Sequence, residues 1–139
     1  MLSKIFKNFK TKGMIGQSSR FLIQKMISNI DFSRDLTIVQ YGSGKAVFVK
    51  QILRKMSPNS KLYVFEINEK CNKYVEKIHD SRLVYINDSA EKIFDYVTEK
   101  EVDAVVSTLP FASLPKNLLE SIVSNSRTIL KENGIFLQY

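Results

Sequence analysis

Short hydrophobic runs of strand type alternate with amphipathic helical patterns along most of this chain, and this alternation restricts the fold more than any other feature. Buried strands are predicted at 36–41, 61–66, 82–86, 102–106 and 135–139. The periodicity predicts helices at about 18–30, 47–56, 68–79, 90–97 and 115–131. Strands that are joined by helices pair in parallel, so the pattern indicates an α/β fold with a doubly wound, mostly parallel sheet.

Residues with known capping preferences bound these helices. Asn68 is expected to begin the third helix, Asp88 or Ser89 the fourth, and Pro115 the last. Gly134 is expected to end the last helix before the final strand.

Length and composition limit the class of protein. The 139 residues, 44% of them hydrophobic, suffice for one domain with a core, which we place at 13–139. Cys71 and His79 are the only residues of their types, which excludes a disulfide framework, a Cys/His zinc site and a Ser-His-Asp triad. No metal site is predicted, and a lone reduced cysteine fits a cytosolic protein. No apolar run approaches the roughly 20 residues that cross a bilayer.

The net charge of +7 indicates an anionic partner, either nucleic acid or a membrane surface. Residues 1–12 are rich in lysine and lack acidic residues. On a helix, Leu2, Ile5, Phe6 and Phe9 would share one side, with lysines on the rest. We therefore predict a basic amphipathic arm that lies on an anionic membrane at the inner face. The alternative is a helix that packs on its own domain.

A glycine turn follows the first predicted strand of the domain, at Gly42 and Gly44. Val39 and Ala46 stand where a Walker A loop needs Gly and Ser or Thr, so that motif is excluded. A dinucleotide fingerprint would need glycine in place of Val47. The turn itself predicts a close backbone approach to a ligand, or only a tight strand-to-helix connection.

Two acids end the next two strands. Glu66 lies where a carboxylate can accept hydrogen bonds from both ribose hydroxyls of a nucleoside, and Asp88 could accept from an adenine amino group. The carboxyl ends of parallel strands meet at one edge of the sheet. The glycine turn and the two acids together therefore predict an adenosine pocket.

The segments MIGQSSRFL, VQYGSGKAVFVKQIL, VFEIN, INDSA and VVSTLPFASLP resemble class I S-adenosylmethionine-dependent methyltransferases. They are most similar to bacterial phospholipid N-methyltransferases, relatives of the ribosomal RNA adenine dimethylases. The resemblance implies that Gly42 and Gly44 hold the methionine part of the cofactor, Glu66 the ribose and Asp88 the adenine. It also places Ser18 and Ser19 in a segment that folds over the cofactor, and it implies S-adenosylhomocysteine as the product.

The resemblance has departures. Gln40 stands where the family has Glu, so it binds the methionine end without charge, and Ala46 replaces a third glycine, a mild change if its backbone is helical. The family fold has two further strands after the fifth. We therefore expect either a shortened chain or an exposed edge strand that another subunit or a second copy covers.

The loop VVSTLPFASLP would receive the acceptor amine. Pro110 stiffens it, so that carbonyls near Leu109 can accept amine N–H bonds, with Ser107 as a further acceptor. The face of Phe111 could stabilise the growing ammonium. Relatives that act on planar bases have Asn or Asp in place of Ser107, so this loop favours an aliphatic amine. The resemblance thus implies methylation of phospholipid ethanolamine. RNA or protein N-methylation, and a cofactor-binding or membrane-attached remnant without catalysis, stay open.

Overall fold

The computed structural model describes residues 5–8 and 17–139, with side chains from Arg20 onward. The strands are β1 (Ile5–Asn8), β2 (Thr37–Tyr41), β3 (Lys61–Phe65), β4 (Leu83–Ile86), β5 (Val102–Ser107) and β6 (Leu130–Gln138). The α-helices are α1 (Gln17–Ile27), α2 (Val47–Lys55), α3 (Asn72–Val75) and α4 (Lys116–Ile129). Three 3-10 turns lie at Glu69–Cys71, Ala90–Asp95 and Phe111–Ser113.

The strands form one six-stranded sheet in the order β1-β6-β5-β2-β3-β4, and every neighbouring pair is parallel. This confirms the predicted doubly wound α/β sheet. Side chains alternate between its two faces, so Ile38 packs with α1 and α2 on one side, while Val39 packs with α4 and the 90–95 turn on the other.

The helix predicted for the N-terminal arm is wrong at Ile5–Asn8, which form β1. β1 pairs with β6 from Ile5 opposite Ile135 to Asn8 opposite Gln138. An open strand edge offers unpaired N–H and C=O groups, and the short segment satisfies them by adding a strand. The expectation that β6 is an exposed edge is therefore wrong along this stretch. The other residues of the 1–12 arm lie outside the described part.

The last helix also ends differently from the prediction. α4 stops at Ile129, because Leu130 is already extended at φ −73° and ψ 136°, and Gly134 lies inside β6 rather than at the helix end. A Cβ on Gly134 would lie 2.9 Å from the Lys131 carbonyl oxygen, so close packing within the strand explains the glycine.

The third and fourth predicted helices are shorter than expected. Asn68 and Ser89 each cap a 3-10 turn, with their side chains accepting hydrogen bonds from the backbone N–H of Lys70 and Glu91. Because these connections are short, the residues that directly follow β3 and β4 stay close to the carboxyl edge of the sheet. No helix in the described ranges has the length and apolar character needed to cross a membrane.

Arg82, beside the start of β4, fastens the end of α2 to the sheet. Its guanidinium donates to the carbonyl oxygens of Met56 at 2.6 Å and Leu53 at 2.9 Å. It also pairs with Asp80 at 2.7 Å, and this hydrogen bond holds the pKa of Asp80 at about 2. The pair therefore stabilises the packing of α2 as long as Asp80 is ionised.

Candidate active site

The turn that follows β2 has left-handed backbone at three positions. Gly42 has φ +84° and Gly44 has φ +50°, and Ala46 has φ +67°. Ala46 would be a mild change only with a helical backbone, and this condition is not met, because the residue precedes α2 in the left-handed conformation. The left-handed region costs an L-residue on the order of 1–2 kcal/mol, so alanine is strained at the position where the resemblance implies a third glycine.

Gly42 lets the loop after β5 close on this turn. The Thr108 hydroxyl donates to the carbonyl oxygens of Tyr41 at 3.2 Å and Gly42 at 3.0 Å. A Cβ on Gly42 would lie 2.4 Å from that hydroxyl oxygen. Gly44 is different, because a Cβ there would meet nothing within 4 Å. The backbone at Gly44 is thus open to a ligand, and the one at Gly42 is closed by Thr108.

Glu66, directly after β3, braces the glycine turn. Its Oε1 accepts from the backbone N–H of Ser43 at 2.8 Å and Gly44 at 3.2 Å, and its Oε2 accepts from Asn68 N–H at 3.0 Å. Partial burial raises the pKa of Glu66, but the hydrogen bonds from Asn68, Ser43 and Gly44 together lower it below its ordinary value. Glu66 is therefore ionised at neutral pH and fixed beside the turn.

A cavity that opens to solvent lies beside Glu66 on the α4 side of the sheet. Asp88 lines it and is exposed, with its Oδ1 accepting from Ser89 N–H at 2.7 Å. The structure thus brings Gly42, Glu66 and Asp88 to one cavity. Its apolar lining comes from Tyr41, Phe65, Ile67, Ala90, Leu109, Leu114, Leu118 and Ile122.

Ile67 is a lining residue that the sequence reasoning missed. Its side chain is 72% exposed, although isoleucine is usually buried, and it lines the cavity together with Glu66 and Asp88. An exposed apolar side chain at this place offers a flat contact to a planar base. The available signal was its position, directly after the acid that ends a buried strand.

A second cavity opens to solvent on the α1–α2 side of the same edge. Gly44, Thr108 and Tyr139 line it together with Ile23 of α1 and Val47 of α2. The Tyr139 ring meets the Phe48 ring edge to face at 5.1 Å. Ser18 and Ser19 belong to the first turn of α1, and their side chains lie outside the described part. The glycine turn therefore separates two cavities that a ligand of nucleoside and amino-acid parts could span.

Hydrogen bonds to two buried side chains hold the loop after β5 in place. Ser107 is fully buried, and its hydroxyl accepts from Leu109 N–H at 3.2 Å. The Leu109 carbonyl accepts from Gln138 Nε2 at 2.7 Å. Pro110 is exposed, and Phe111 packs 6.0 Å from the ring of Phe136. The groups that were expected to meet the acceptor amine therefore have partners in the protein: the Ser107 hydroxyl bonds within the loop and the Leu109 carbonyl bonds to Gln138 of β6. The Leu109 carbonyl keeps one lone pair.

Two buried glutamines flank this edge of the sheet. Gln40 Nε2 donates to Gly42 O at 2.8 Å, as Gln138 Nε2 does to the Leu109 carbonyl. In the described part of the protein, the Oε1 atoms of both side chains are buried and accept no hydrogen bond. Such an acceptor is costly unless a ligand or water satisfies it. The sequence reasoning missed Gln138, whose signal was an amide within the otherwise apolar run 135–139.

The Methyltransferase small domain model matches residues 8–138. The chain belongs to this family. Its cofactor is S-adenosylmethionine, and the enzyme is an S-adenosylmethionine-dependent methyltransferase. Among curated proteins, the chain is 22% identical to an ornithine lipid N-methyltransferase of Singulisphaera acidiphila, over 99% of this chain and 74% of that one.

Solved structures share the fold. An S-adenosylmethionine-dependent methyltransferase from Archaeoglobus fulgidus superposes with a TM-score of 0.66 at 16% identity, covering 81% of this chain and 47% of that one. A proposed rRNA methylase from Clostridium thermocellum gives 0.68 at 19% identity, covering 88% and 68%. The chain thus spans about half the length of several solved methyltransferases it matches.

The methyltransferase's own residues fit the cofactor. The backbone at Gly44 is open, and the orphaned Gln40 Oε1 is a buried acceptor suited to an ammonium group. Glu66 and Asp88 supply carboxylates beside an apolar wall that includes Ile67. In the described residues, no group of three or more His, Cys, Asp and Glu side chains could hold a metal ion.

Proposed function

We propose that this methyltransferase N-methylates the aliphatic amine of a membrane lipid, such as the ethanolamine headgroup of a phospholipid. The observation that carries the proposal is the acceptor loop Ser107–Phe111, which offers no amide or acidic side chain to grip a planar base. The similarity to an ornithine lipid N-methyltransferase over 99% of the chain supports the same substrate class.

The site residues have separate proposed roles. Glu66 binds the ribose hydroxyls, Asp88 the adenine amino group, and Ile67 contacts the face of the base. Gln40 accepts from the ammonium of the methionine part, with Gly44 giving it room. Ser18 and Ser19 are proposed to close over the cofactor from α1.

The acceptor amine is proposed to lie at the loop of Leu109, Pro110 and Phe111. S-adenosylmethionine, when bound, supplies an electrophilic methyl group. The free lone pair of the Leu109 carbonyl accepts a hydrogen bond from the amine N–H. The Ser107 hydroxyl holds the loop in place by accepting a hydrogen bond from Leu109 N–H. The ring of Phe111 favours the cationic product. A neutral amine needs orientation more than activation, which a loop fixed by Ser107 and Gln138 provides.

RNA N-methylation is the second candidate, favoured by the net charge of +7 and by the fold shared with a proposed rRNA methylase. A third candidate, cofactor binding without catalysis, is suggested by the neutral Gln40. For the lipid function, we place the protein in the cytoplasm at the inner membrane face, with residues 1–12 as one membrane contact.

Transfer of a tritiated methyl group separates these candidates. The protein is incubated with labelled S-adenosylmethionine and either mixed micelles of phosphatidylethanolamine or ornithine lipid, or total RNA, and the lipids are resolved by thin-layer chromatography. We expect label in a lipid that migrates as its N-methylated form. Label in RNA alone, or cofactor binding with no transfer, would contradict the proposal. Glu66→Ala serves as the inactive control.

A further inference from the structure

The positive charge of the chain is concentrated in its first half. Residues 1–65 contain twelve Lys and Arg against two acidic residues, Asp31 and Asp35. Residues 66–139 contain nine Lys and Arg against twelve acidic residues. The net charge of +7 therefore conceals a strongly basic half and a mildly acidic half.

In the folded chain, several basic residues of the first half lie on one surface. α1 and α2 cover one side of the sheet, where Gln24 of α1 hydrogen-bonds to Gln51 of α2 and holds the helices side by side. We define the α1–α2 face as their outward residues and the turn before α2. It contains no acidic residue, and its members are Arg20, Phe21, Lys25, Lys45, Val47, Lys50, Arg54 and Lys55.

The cations of this face are exposed, and within the described ranges none of them forms an ion pair. Among them, Phe21 is 70% exposed and Val47 is also exposed. Phe21 is thus a large aromatic side chain exposed to solvent beside these cations. It fits a partner with both anionic and apolar components.

The α1–α2 face also borders the active site. The cavity with Gly44 and Tyr139 is lined by Ile23 from α1 and by Lys45 and Val47 from the start of α2. Because α1 leads into the amino end of β2, its first turns, with Phe21, lie toward the carboxyl edge of the sheet. A surface that meets Val47, which lines this cavity, thus meets the cavity mouth.

We propose that the α1–α2 face docks the enzyme on an anionic lipid bilayer, with Phe21 entering the acyl boundary and the cations meeting headgroups. This inference rests on the proposed lipid substrate and directs the cavity mouth at the membrane. Charge complementarity alone would also suit RNA. The exposed Phe21 favours lipid, because an interfacial surface combines basic residues with an inserting aromatic side chain.

The test is co-sedimentation of the full chain with vesicles of 30% phosphatidylglycerol in phosphatidylcholine. Each cation lost near the surface weakens binding roughly five-fold, so Lys50→Gln/Arg54→Gln is expected to weaken it about 25-fold. Phe21→Ser is expected to weaken it roughly ten-fold or more. Wild-type protein is expected to bind pure phosphatidylcholine weakly.

Matched controls lie on the other side of the sheet. Phe94→Ser removes an aromatic side chain that is 49% exposed, and Lys92→Gln/Lys116→Gln removes two exposed cations. Both controls are expected to bind vesicles like wild type. Unchanged binding by the α1–α2 variants would overturn the proposal, as would equal losses in the controls. Thermal melting checks that every variant folds.

Two further results separate this inference from the proposed function. With lipid dispersed in detergent micelles, the α1–α2 variants are expected to methylate at the wild-type rate. If wild type methylates no dispersed lipid but binds vesicles through this face, the substrate proposal fails while the docking surface stands. If the variants lose RNA binding and keep vesicle binding, the face serves nucleic acid and the docking proposal is wrong.

Discussion

Replacing Gly42 by alanine tests how the glycine turn and the acceptor loop depend on each other. The new Cβ would lie 2.4 Å from Thr108 Oγ1, and alanine would have to adopt φ +84°. Left-handed strain costs on the order of 1–2 kcal/mol, and crowding in a packed site adds about 1–3 kcal/mol. We expect Gly42→Ala to lower the free energy of unfolding by roughly 2–5 kcal/mol.

Thr108→Ala removes the crowding atom. Alone it loses the hydroxyl hydrogen bonds to Tyr41 O and Gly42 O, at about 1 kcal/mol. In the double variant the next nearest atom of the original neighbours is Leu109 Cδ2 at 3.5 Å, which is ordinary contact. In the double variant, only the left-handed backbone strain at position 42 and the lost hydrogen bonds then lower the free energy of unfolding.

The assay is urea unfolding of the wild type, the two single variants and the double variant. We expect the double variant to be more stable than the sum of the single effects allows, by about 1–3 kcal/mol. Gly44→Ala is the control, since its Cβ meets nothing within 4 Å and has no clash for Thr108→Ala to relieve. Additivity for the Gly42 pair within about 0.5 kcal/mol would refute the proposed closure of the loop on the turn.

Three other predictions concern single sites. Gln138→Leu removes the donor to the Leu109 carbonyl together with a buried acceptor that has no partner. Turnover should therefore fall roughly ten-fold or more, while the affinity for the cofactor, measured by calorimetry, stays unchanged. Equal losses of turnover and affinity would make Gln138 part of the cofactor site. Pro110→Ala should likewise lower turnover more than cofactor affinity, and an unaffected turnover would detach the loop from the acceptor. The folded-state pKa of Asp80 is about 2, below its ordinary 3.8, so its pairing with Arg82 stabilises the protein above about pH 4, and this stabilisation is lost as the pH falls toward 2. In urea unfolding, Asp80→Asn should lose less stability than wild type over this pH range. Identical pH profiles for the variant and wild type would contradict the role of the pair.

The sheet was predictable because its strands are short, continuous apolar runs between helical patterns. Tyr41 and Val105, for example, are fully buried. Continuous apolar runs of this kind match a buried strand and do not match the spacing of an amphipathic helix. β1 was not predictable in the same way, because Ile5–Asn8 is too short to distinguish a helical turn from a strand. Only the unpaired edge of β6, a tertiary feature, selects the strand.

The candidate site was partly predictable for a related reason. Parallel strands bring their carboxyl ends together, so the grouping of Gly42, Glu66 and Asp88 follows from topology. The loop was harder, since the partner of the Leu109 carbonyl is Gln138, 29 residues away in sequence. The left-handed backbone of Ala46 also has no local signal, because alanine normally avoids that conformation.

The most direct measurement is a calorimetric titration of S-adenosylmethionine into wild type and Glu66→Ala, because Glu66 joins the glycine turn to the cavity that Asp88 also lines. The account predicts binding by wild type and a loss of about 2–3 kcal/mol in the variant, roughly 30- to 150-fold in affinity. Glu69→Ala, an exposed acid in the neighbouring 3-10 turn, is expected to bind like wild type. An unchanged affinity in Glu66→Ala would contradict the placement of the cofactor at this edge of the sheet.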